Sequence, residues 1–335
     1  MPESSSGRPR RVVPNAGDRV WTQVSVDASC SVRSWPHVER YQNTTLRYTP
    51  GPDFPPAMEA YLGKPQIIRL FVTLDEVWDY RTDTYDWNYL IGVNKFEGDS
   101  EHYHFHYDWP LTVPSPLGVH EEDYLRSHAE CAESVMLNIR RYEREVAVEH
   151  VISYEKYEEV VERVIEHYKE LCPNIRYIEL MNEVDIPNFG ELTVDEFYPL
   201  FQCGYRAIRR LNERHDYAIP MLTGTMGLTA GVKNWGFWSD FLKRLAADED
   251  RTIDFYSMHE YHTNPCRILE FYVRHEALVH ELGLPDLPLM MTEYGLRVGE
   301  GDAGRPHNLQ NACGEIQGMI LGSYCENLRM FPWCT

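Results

Sequence analysis

The stretch Tyr177-Ile178-Glu179-Leu180-Met181-Asn182-Glu183-Val184-Asp185 passes from an apolar, β-type run straight into a cluster of polar residues. The stretch Leu289-Met290-Met291-Thr292-Glu293-Tyr294-Gly295 does the same further along the chain. Each pattern predicts a buried strand that presents a glutamate, Glu183 or Glu293, at its carboxyl end. Because the carboxyl ends of parallel strands meet at one edge, we expect both glutamates to face the same cleft.

From residue 17 onward, short β-rich runs alternate with longer segments of helical period, which is the pattern of a parallel α/β fold. The predicted strands are Val20–Val26, Gln66–Thr73, Ser134–Ile139, Arg176–Met181, Ala218–Thr223, Ile253–Met258, Leu289–Thr292 and Asn327–Phe331. Eight strands indicate a (β/α)8 TIM barrel, predicted as a single catalytic domain over residues 1–335 with a flexible segment at 1–16. The alternative is an open, doubly wound sheet.

Three connecting helices have clear starting signals. Apolar residues from Tyr157 to Leu171 follow the three-four spacing of one buried face, which predicts a helix that begins after Ser153. Thr193 precedes a second helix at Val194–Leu211, and Asn308 a third at Ala312–Tyr324, as residues with capping side chains do.

A long insertion separates the second and third predicted strands, with about sixty residues where a few would suffice. It is rich in aromatic rings: Trp78, Tyr80, Tyr85, Trp87, Tyr89, Tyr103, Phe105, Tyr107 and Trp109. After a barrel strand such a loop lies on the catalytic rim, so these rings either line a substrate cleft or form a small core that holds the loop down.

The net charge of the chain limits the classes of molecule that it is expected to bind. The net charge of −20, from 52 acidic and 32 basic residues, opposes binding to nucleic acids and to anionic membranes, and favours a neutral ligand such as a sugar. The eight cysteines are scattered without a C-x-x-C pair and are expected to be reduced thiols. With no signal peptide or membrane span visible, we expect a cytoplasmic protein that needs no cofactor or metal.

The predicted cleft holds the groups that glycosidic bond cleavage requires. Glu183 and Glu293, on the fourth and seventh strands, would lie across the barrel mouth from each other and flank the bond. Arg69 places a charge within an apolar strand, where its natural partner is a carboxylate. His259 and Tyr261 close the sixth strand two residues apart and point to one side, where the phenol can donate to the nucleophile.

Together these strand ends resemble the clan A glycoside hydrolases: Asn182-Glu183 closes the fourth strand, Thr292-Glu293-Tyr294-Gly295 the seventh and His259-Glu260-Tyr261 the sixth. Within the clan, the segment from Glu179 to Asp185 is similar to the E-x-W-N-E-P-D pattern of glycoside hydrolase family 39, which includes β-xylosidases and α-iduronidases. Met181 replaces the tryptophan of that pattern, and Val184 replaces its proline.

The resemblance implies a retaining hydrolase of plant- or microbial-type glycosides, with Glu183 as general acid/base and Glu293 as nucleophile. It further implies that Asn182 hydrogen-bonds the sugar 2-hydroxyl, and that Arg69 and Tyr261 keep Glu293 ionised.

Two further residues take roles from the same resemblance. His259 would line the sugar pocket, and Trp333 would form the aromatic platform that ends the eighth strand. The sequence stops two residues after Trp333, and no helix follows that strand. We therefore expect this sequence to be truncated at its C-terminus.

Two other functions remain as alternatives: a carbohydrate-binding barrel without catalysis, and a metal-dependent barrel hydrolase. The second would use His102, His104 and His106, which alternate along the inserted loop. The sequence does not name the sugar or the oligomeric state, although a long loop beside the cleft mildly favours cleavage at chain ends.

Overall fold

The computed structural model describes residues 40–43, 53–91, 119–227, 234–262, 264–296 and 309–333. In chain order its elements are β1 (Tyr41–Asn43), α1 (Phe54–Leu62), β2 (Ile67–Thr73), α2 (Leu74–Val77), β3 (Trp78–Asp79), β4 (Thr84–Tyr85), α3 (Glu121–Cys131), β5 (Ser134–Arg140), α4 (Glu143–Ala147), α5 (Tyr154–Leu171), β6 (Ile175–Leu180), α6 (Val194–Arg214), β7 (Leu222–Thr223), α7 (Trp235–Ala247), β8 (Tyr256–His262), α8 (Arg267–Glu281), β9 (Leu289–Leu296), α9 (Leu309–Gly322) and β10 (Leu328–Pro332).

Two parallel sheets form the centre of this part of the chain. One has the order β1-β2-β5-β6-β7, and the other has the order β10-β9-β8. A parallel bridge between Gly224 and Phe255 joins the end of the first sheet to the start of β8. On the other side, the rings of Tyr41 in β1 and Phe331 in β10 pack with their centroids 5.5 Å apart. Parallel sheets with intervening helices confirm the predicted α/β class.

Most predicted strands are present, with shifted ends. The predicted strand Ala218–Thr223 is reduced to the two residues of β7, since Pro220 has no N–H to donate to a neighbouring strand. The predicted first strand, Val20–Val26, lies outside the described residues. β2 pairs with β5 on one side and with β1 on the other, and the three residues of β1, Tyr-Gln-Asn, contain no apolar run and were not predicted.

Side chains alternate between the two faces of each strand, so those that point inward form successive levels from the amino ends to the carboxyl ends of the strands. An apolar cluster fills the level nearer the amino ends: Tyr41, Ile67, Met136, Phe255, Met290 and Phe331. Side chains two residues further along a strand lie on the same face, one level nearer the carboxyl end. Arg69 follows Ile67 in this way, and Asn138 follows Met136. The level above the apolar cluster is therefore polar.

Two of the three predicted helices begin where the sequence predicted, and the third begins three residues before its predicted start at Ala312. The hydroxyl of Ser153 accepts a hydrogen bond from the Lys156 backbone N–H at the start of α5, and Thr193 and Glu196 form a capping box at the start of α6. Helix α9 begins at Leu309, next to the predicted cap Asn308, which itself lies outside the described residues.

The insertion after β2 has its own secondary structure: the short helix α2, the β3–β4 hairpin and, closer to β5, helix α3. Trp78 and Tyr89 are buried, and Trp87 stacks between Tyr85 and His167 of α5. In the described half of the insertion, the rings therefore act as a small core that fastens it to the helices. Residues 92–118, with the remaining rings and the three alternating histidines, lie outside the described residues.

Two further properties follow from the described residues. The six cysteines among them are free thiols. No helix in this part of the chain combines the length and the apolar character needed to cross a bilayer.

A ladder of ion pairs joins the outer faces of α5 and α6. Each rung links an acidic residue of α5 to arginines of α6, with a spacing of four residues on both helices: Glu158, Glu162 and Glu166 with Arg206, Arg210 and Arg214. Because both sets advance by one turn together, the two helices run parallel and in register.

The central rung gives a prediction about stability. Arg210 bridges Glu158 and Glu162, so Arg210→Met should lower the free energy of unfolding by about 1 kcal/mol in low salt, and by less in high salt, where exposed charges are screened. Urea titrations measure this. Lys243→Met, which removes the isolated exposed pair with Asp240, is the control and should change little. A salt-independent loss for Arg210→Met would assign the effect to packing instead.

Candidate active site

The backbone at the end of β6 turns two consecutive side chains to the same side, where Asn182 contacts Arg69 and Glu183 contacts His259. In a regular strand, neighbouring side chains point to opposite faces. Here Met181 and Glu183 have positive φ values of 64° and 51°, which break that alternation on either side of Asn182. The Glu183 N–H donates to the Gly227 carbonyl at 2.6 Å and fixes the turn. Such backbone conformations cost free energy and concentrate at functional sites.

A bulge in β9 does the same for the second glutamate. Met258 of β8 pairs with Met291 and His259 pairs with Glu293, so that Thr292 is an extra residue without a partner of its own in β8. A bulge lets two successive residues turn to the same side. Thr292 and Glu293 accordingly both make side-chain hydrogen bonds within the interior.

Arg69 is the centre of the polar level. Its Nε donates to Oε2 of Glu179 at 2.7 Å, and its Nη1 donates to Oε1 of Glu293 at 2.7 Å. Its Nη2 reaches Oδ1 of Asn182 at 3.1 Å, which leaves the amide N–H2 of Asn182 to face elsewhere. Arg69 therefore positions both the nucleophile candidate and the neighbouring amide.

Burial and charge oppose each other in this cluster. Burial by itself would raise the pKa of Glu179, but the adjacent Arg69 guanidinium holds that pKa below its usual value. For Arg69 burial alone would lower the pKa, and the two carboxylates together raise it instead. Both groups are therefore charged, as a buried cation with two anionic partners should be.

His259 connects the two glutamates from β8. Its Nδ1 is 2.8 Å from Oε1 of Glu183 and 3.5 Å from Oε2 of Glu293, while Nε2 lies 3.5 Å from Nη2 of Arg69. Arginine only donates, so Nε2 is the accepting nitrogen and Nδ1 carries the proton that faces Glu183. Burial lowers the pKa of His259, an effect that the Glu293 carboxylate partly offsets, and the imidazole is neutral at pH 7.

The remaining predicted residues also converge on this region. The Tyr261 hydroxyl donates to Oε2 of Glu293 at 2.7 Å. Trp333 packs edge-on against Phe71 at 6.1 Å, and its backbone N–H donates to the Tyr294 carbonyl. Arg69 lies 4.5 Å from the centroid of that same Phe71 ring. The Phe71 ring therefore lies between Trp333 and the polar cluster around Arg69.

Glu183, His259 and Glu293 also have the donor atoms of a metal site, all lying within 4.8 Å of one another. The surrounding charge opposes this use. The Arg69 guanidinium is bonded to one of these carboxylates and lies beside the imidazole, and it directs the protonated nitrogen of His259 toward the position an ion would take. The arrangement suits two carboxylates that accept hydrogen bonds from His259, Arg69 and Tyr261 better than it suits a bound cation.

Two residues of the site, Glu179 and Asn138, were not predicted from sequence to take part in it. Glu179 binds Arg69, and its other oxygen accepts from the Thr292 hydroxyl at 2.5 Å. Asn138 of β5 donates to Glu179 at 2.7 Å and to the Met181 carbonyl at 2.8 Å. A usable signal was present, because Arg69, Asn138 and Glu179 are each a polar residue at an interior position of an otherwise apolar strand.

Comparison with known proteins supports the fold. A glucosidase from Croceicoccus marinus matches with a TM-score of 0.60 at 15% identity, over 88% of this chain and 59% of its own. A family 39 glycoside hydrolase from Bacteroides cellulosilyticus WH2 matches with a TM-score of 0.55 at 13% identity, over 88% and 57%. The endoglucanase Cel5A from Thermotoga maritima matches with a TM-score of 0.53 at 12% identity, over 88% of this chain and 90% of its own.

These matches confirm the predicted resemblance to clan A glycoside hydrolases at the level of the fold. The chain spans 59% and 57% of the lengths of the first two proteins. No protein-family model matches the sequence, and no curated protein matches it either.

The close approach of Gly227 to His259 gives a second prediction. A Cβ at Gly227 would lie 2.4 Å from Nε2 of His259, so Gly227→Ala should push the imidazole away and cost about 1–3 kcal/mol of unfolding free energy. Gly236→Ala, in α7 with open space around it, is the matched control and should be neutral or stabilising. Urea unfolding compares the two. Equal stability of both variants would show that His259 is not held tightly.

Proposed function

We propose that this protein is a retaining glycoside hydrolase of plant- or microbial-type glycosides, with Glu293 as nucleophile and Glu183 as general acid/base. In this proposal the two sheets close into one single-domain (β/α)8 barrel. The Gly224–Phe255 bridge at one seam and the Tyr41–Phe331 contact at the other support closure, as do the matches to barrel hydrolases. The site then occupies the carboxyl end of the strands, where barrel enzymes have their active sites.

One observation carries the proposal: two carboxylates from different strands meet in one cleft with different partners. Glu293 accepts from the Arg69 cation and the Tyr261 hydroxyl, whereas Glu183 accepts from the neutral His259. Donor atoms of Glu183, His259 and Glu293 lie within 4.8 Å of one another. Carboxyl groups about 5–5.5 Å apart are typical of retaining enzymes, and about 6.5–9.5 Å of inverting ones.

The first step joins the sugar to Glu293. A carboxylate oxygen of Glu293 attacks the anomeric carbon while Glu183 gives its proton to the departing glycosidic oxygen. Glu183 holds that proton readily while Glu293 is charged, since two adjacent carboxylates do not both ionise easily. Giving up this proton leaves Glu183 as a carboxylate, and formation of the ester removes the charge on Glu293 that would have opposed it.

The second step releases the sugar. Glu183, now a carboxylate, removes a proton from water, and the hydroxide attacks the anomeric carbon and breaks the ester bond to Glu293. Two displacements restore the original configuration at that carbon. The His259 N–H that faces Glu183 stabilises the ionised form on which this step depends.

Other residues of the cleft fit a carbohydrate. Asn182, with its Oδ1 on Arg69, has its N–H2 available for the sugar 2-hydroxyl. Trp333 is partly exposed and offers a ring on which a sugar can pack. The insertion after β2 favours cleavage at chain ends, since β3, β4 and α2 follow a strand whose carboxyl end carries the cleft.

The test uses aryl glycosides of xylose, glucose, galactose, mannose, arabinose and glucuronic acid, with released phenol as the signal. We expect wild type to turn over at least one of them, Glu183→Ala to lose about 10²–10⁴-fold in rate, and Glu293→Ala to lose all turnover. Glu281→Ala, at the exposed end of α8, is the control and should match wild type.

Azide distinguishes the two roles. With Glu183→Ala it should trap the sugar ester and yield a glycosyl azide of retained configuration. With Glu293→Ala it should replace the nucleophile and yield the inverted azide. Sugar binding without turnover in wild type would instead favour a non-catalytic carbohydrate-binding barrel, and loss of wild-type activity with a chelator would favour a metal-dependent hydrolase.

A further inference from the structure

Glu179 is a buried carboxylate that the proposed reaction does not use. Both of its oxygens are occupied within the interior: Oε1 accepts from the Thr292 hydroxyl, and Oε2 accepts from Asn138 and from Arg69. The side chain is fully buried, whereas Glu293 retains a small exposed fraction. Glu179 therefore contacts the cation that holds the nucleophile without itself reaching the cleft.

The charges of this cluster do not cancel. Arg69 carries one positive charge and is bonded to two carboxylates, at 2.6 Å for Glu179 and 2.7 Å for Glu293. One negative charge is left over. Since Glu179 has further donors in Thr292 and Asn138 and no access to solvent, its charge is balanced locally, and the excess resides on Glu293.

We propose that Glu179 is a positioning residue that takes up the charge of Arg69, so that Arg69 can hold Glu293 in place without neutralising it. The inference rests on the proposed function, in which Glu293 must be both fixed and electron-rich to attack the anomeric carbon. A lone arginine would fix the nucleophile but also draw off its charge. A second carboxylate on the far side of the guanidinium removes that conflict.

The bulge in β9 links the position of Glu179 to the position of Glu293. Thr292 donates to Glu179, and the next residue, Glu293, accepts from Arg69. The loop of contacts from Glu179 through Arg69 to Glu293 and back through Thr292 closes on itself. Movement of Glu179 is thereby coupled to the orientation of the nucleophile.

Glu179→Gln tests the charge with little change of shape. The amide oxygen can take the place of Oε2 and accept from Arg69 and Asn138, while the amide N–H2 donates to the Thr292 hydroxyl oxygen. Arg69 would then act on Glu293 alone. We expect kcat to fall about 10- to 100-fold with little change in KM, as supporting residues of catalytic groups show.

The pH profile separates this role from a structural one. Among the described residues, the charged or titratable groups near Glu293 are Arg69 from β2, Glu179 from β6, Glu183 and Asp185 after β6, and His259 and Tyr261 from β8. Glu179→Gln deletes one negative charge from this set and so removes a source of repulsion between carboxylates, and the acidic limb of kcat/KM should therefore move toward lower pH. A purely structural role would lower the fraction of active enzyme and leave the limb in place.

Thr292→Val is the second variant. It keeps the charge of Glu179 but removes one hydrogen bond, so kcat should fall while the acidic limb stays at its wild-type position. Active-site titration with a slowly released fluoro-glycoside gives kcat per active site for both variants. Should Glu179→Gln fail to fold, a wild-type kcat for Thr292→Val would still overturn the proposal.

The outcomes are distinguishable from failure of the proposed function. If wild type releases no phenol from any glycoside, both the reaction and the role of Glu179 are wrong. If wild type is active and Glu179→Gln keeps its kcat per active site and its acidic limb, the proposed function stands and the role of Glu179 is overturned.

Discussion

A single buried cation organises the interior of this protein. Arg69 lies at the centre of a strand with no exposed surface, where an unpaired guanidinium would be prohibitively costly. Its partners come from three other strands, β6, β8 and β9, and from the residues just after β6. Any arrangement of these strands that separated Arg69 from Glu179 and Glu293 would leave a charge buried and unpaired, so this one ion-pair network restricts the register of the sheets.

Local departures from regular strand geometry make the network functional. Regular strands would alternate Asn182 with Glu183, and Thr292 with Glu293, between interior and exterior. Positive φ values at Met181 and Glu183, and the bulge in β9, instead turn both members of each pair inward. The free energy spent on this backbone is recovered from hydrogen bonds that a regular strand would not form.

The neighbouring hydrolases share the fold with this chain at 12–15% identity, so the fold persists although most of the sequence differs. This is expected if volume and alternation are enough to specify an interior of parallel sheets. The polar level has less freedom, because each of its members has a specific partner. The functional proposal therefore rests on the polar contacts of this chain, and the likeness supports the scaffold that presents them.

The sequence by itself determined which segments become buried strands and which carboxylates stand at their ends, because apolar runs, alternation and helix caps are local properties. It also predicted that Arg69, a charged residue within an apolar strand, would be paired with a carboxylate. It did not predict β1, whose short polar sequence has no local signal, or the role of Glu179, whose place inside an apolar strand marks a buried polar residue but does not name its partner. The partners of Arg69 lie 110 and 224 residues away along the chain. Only the tertiary structure decided them, since the register between strands and the extra residue in β9 set which side chains meet across the interior.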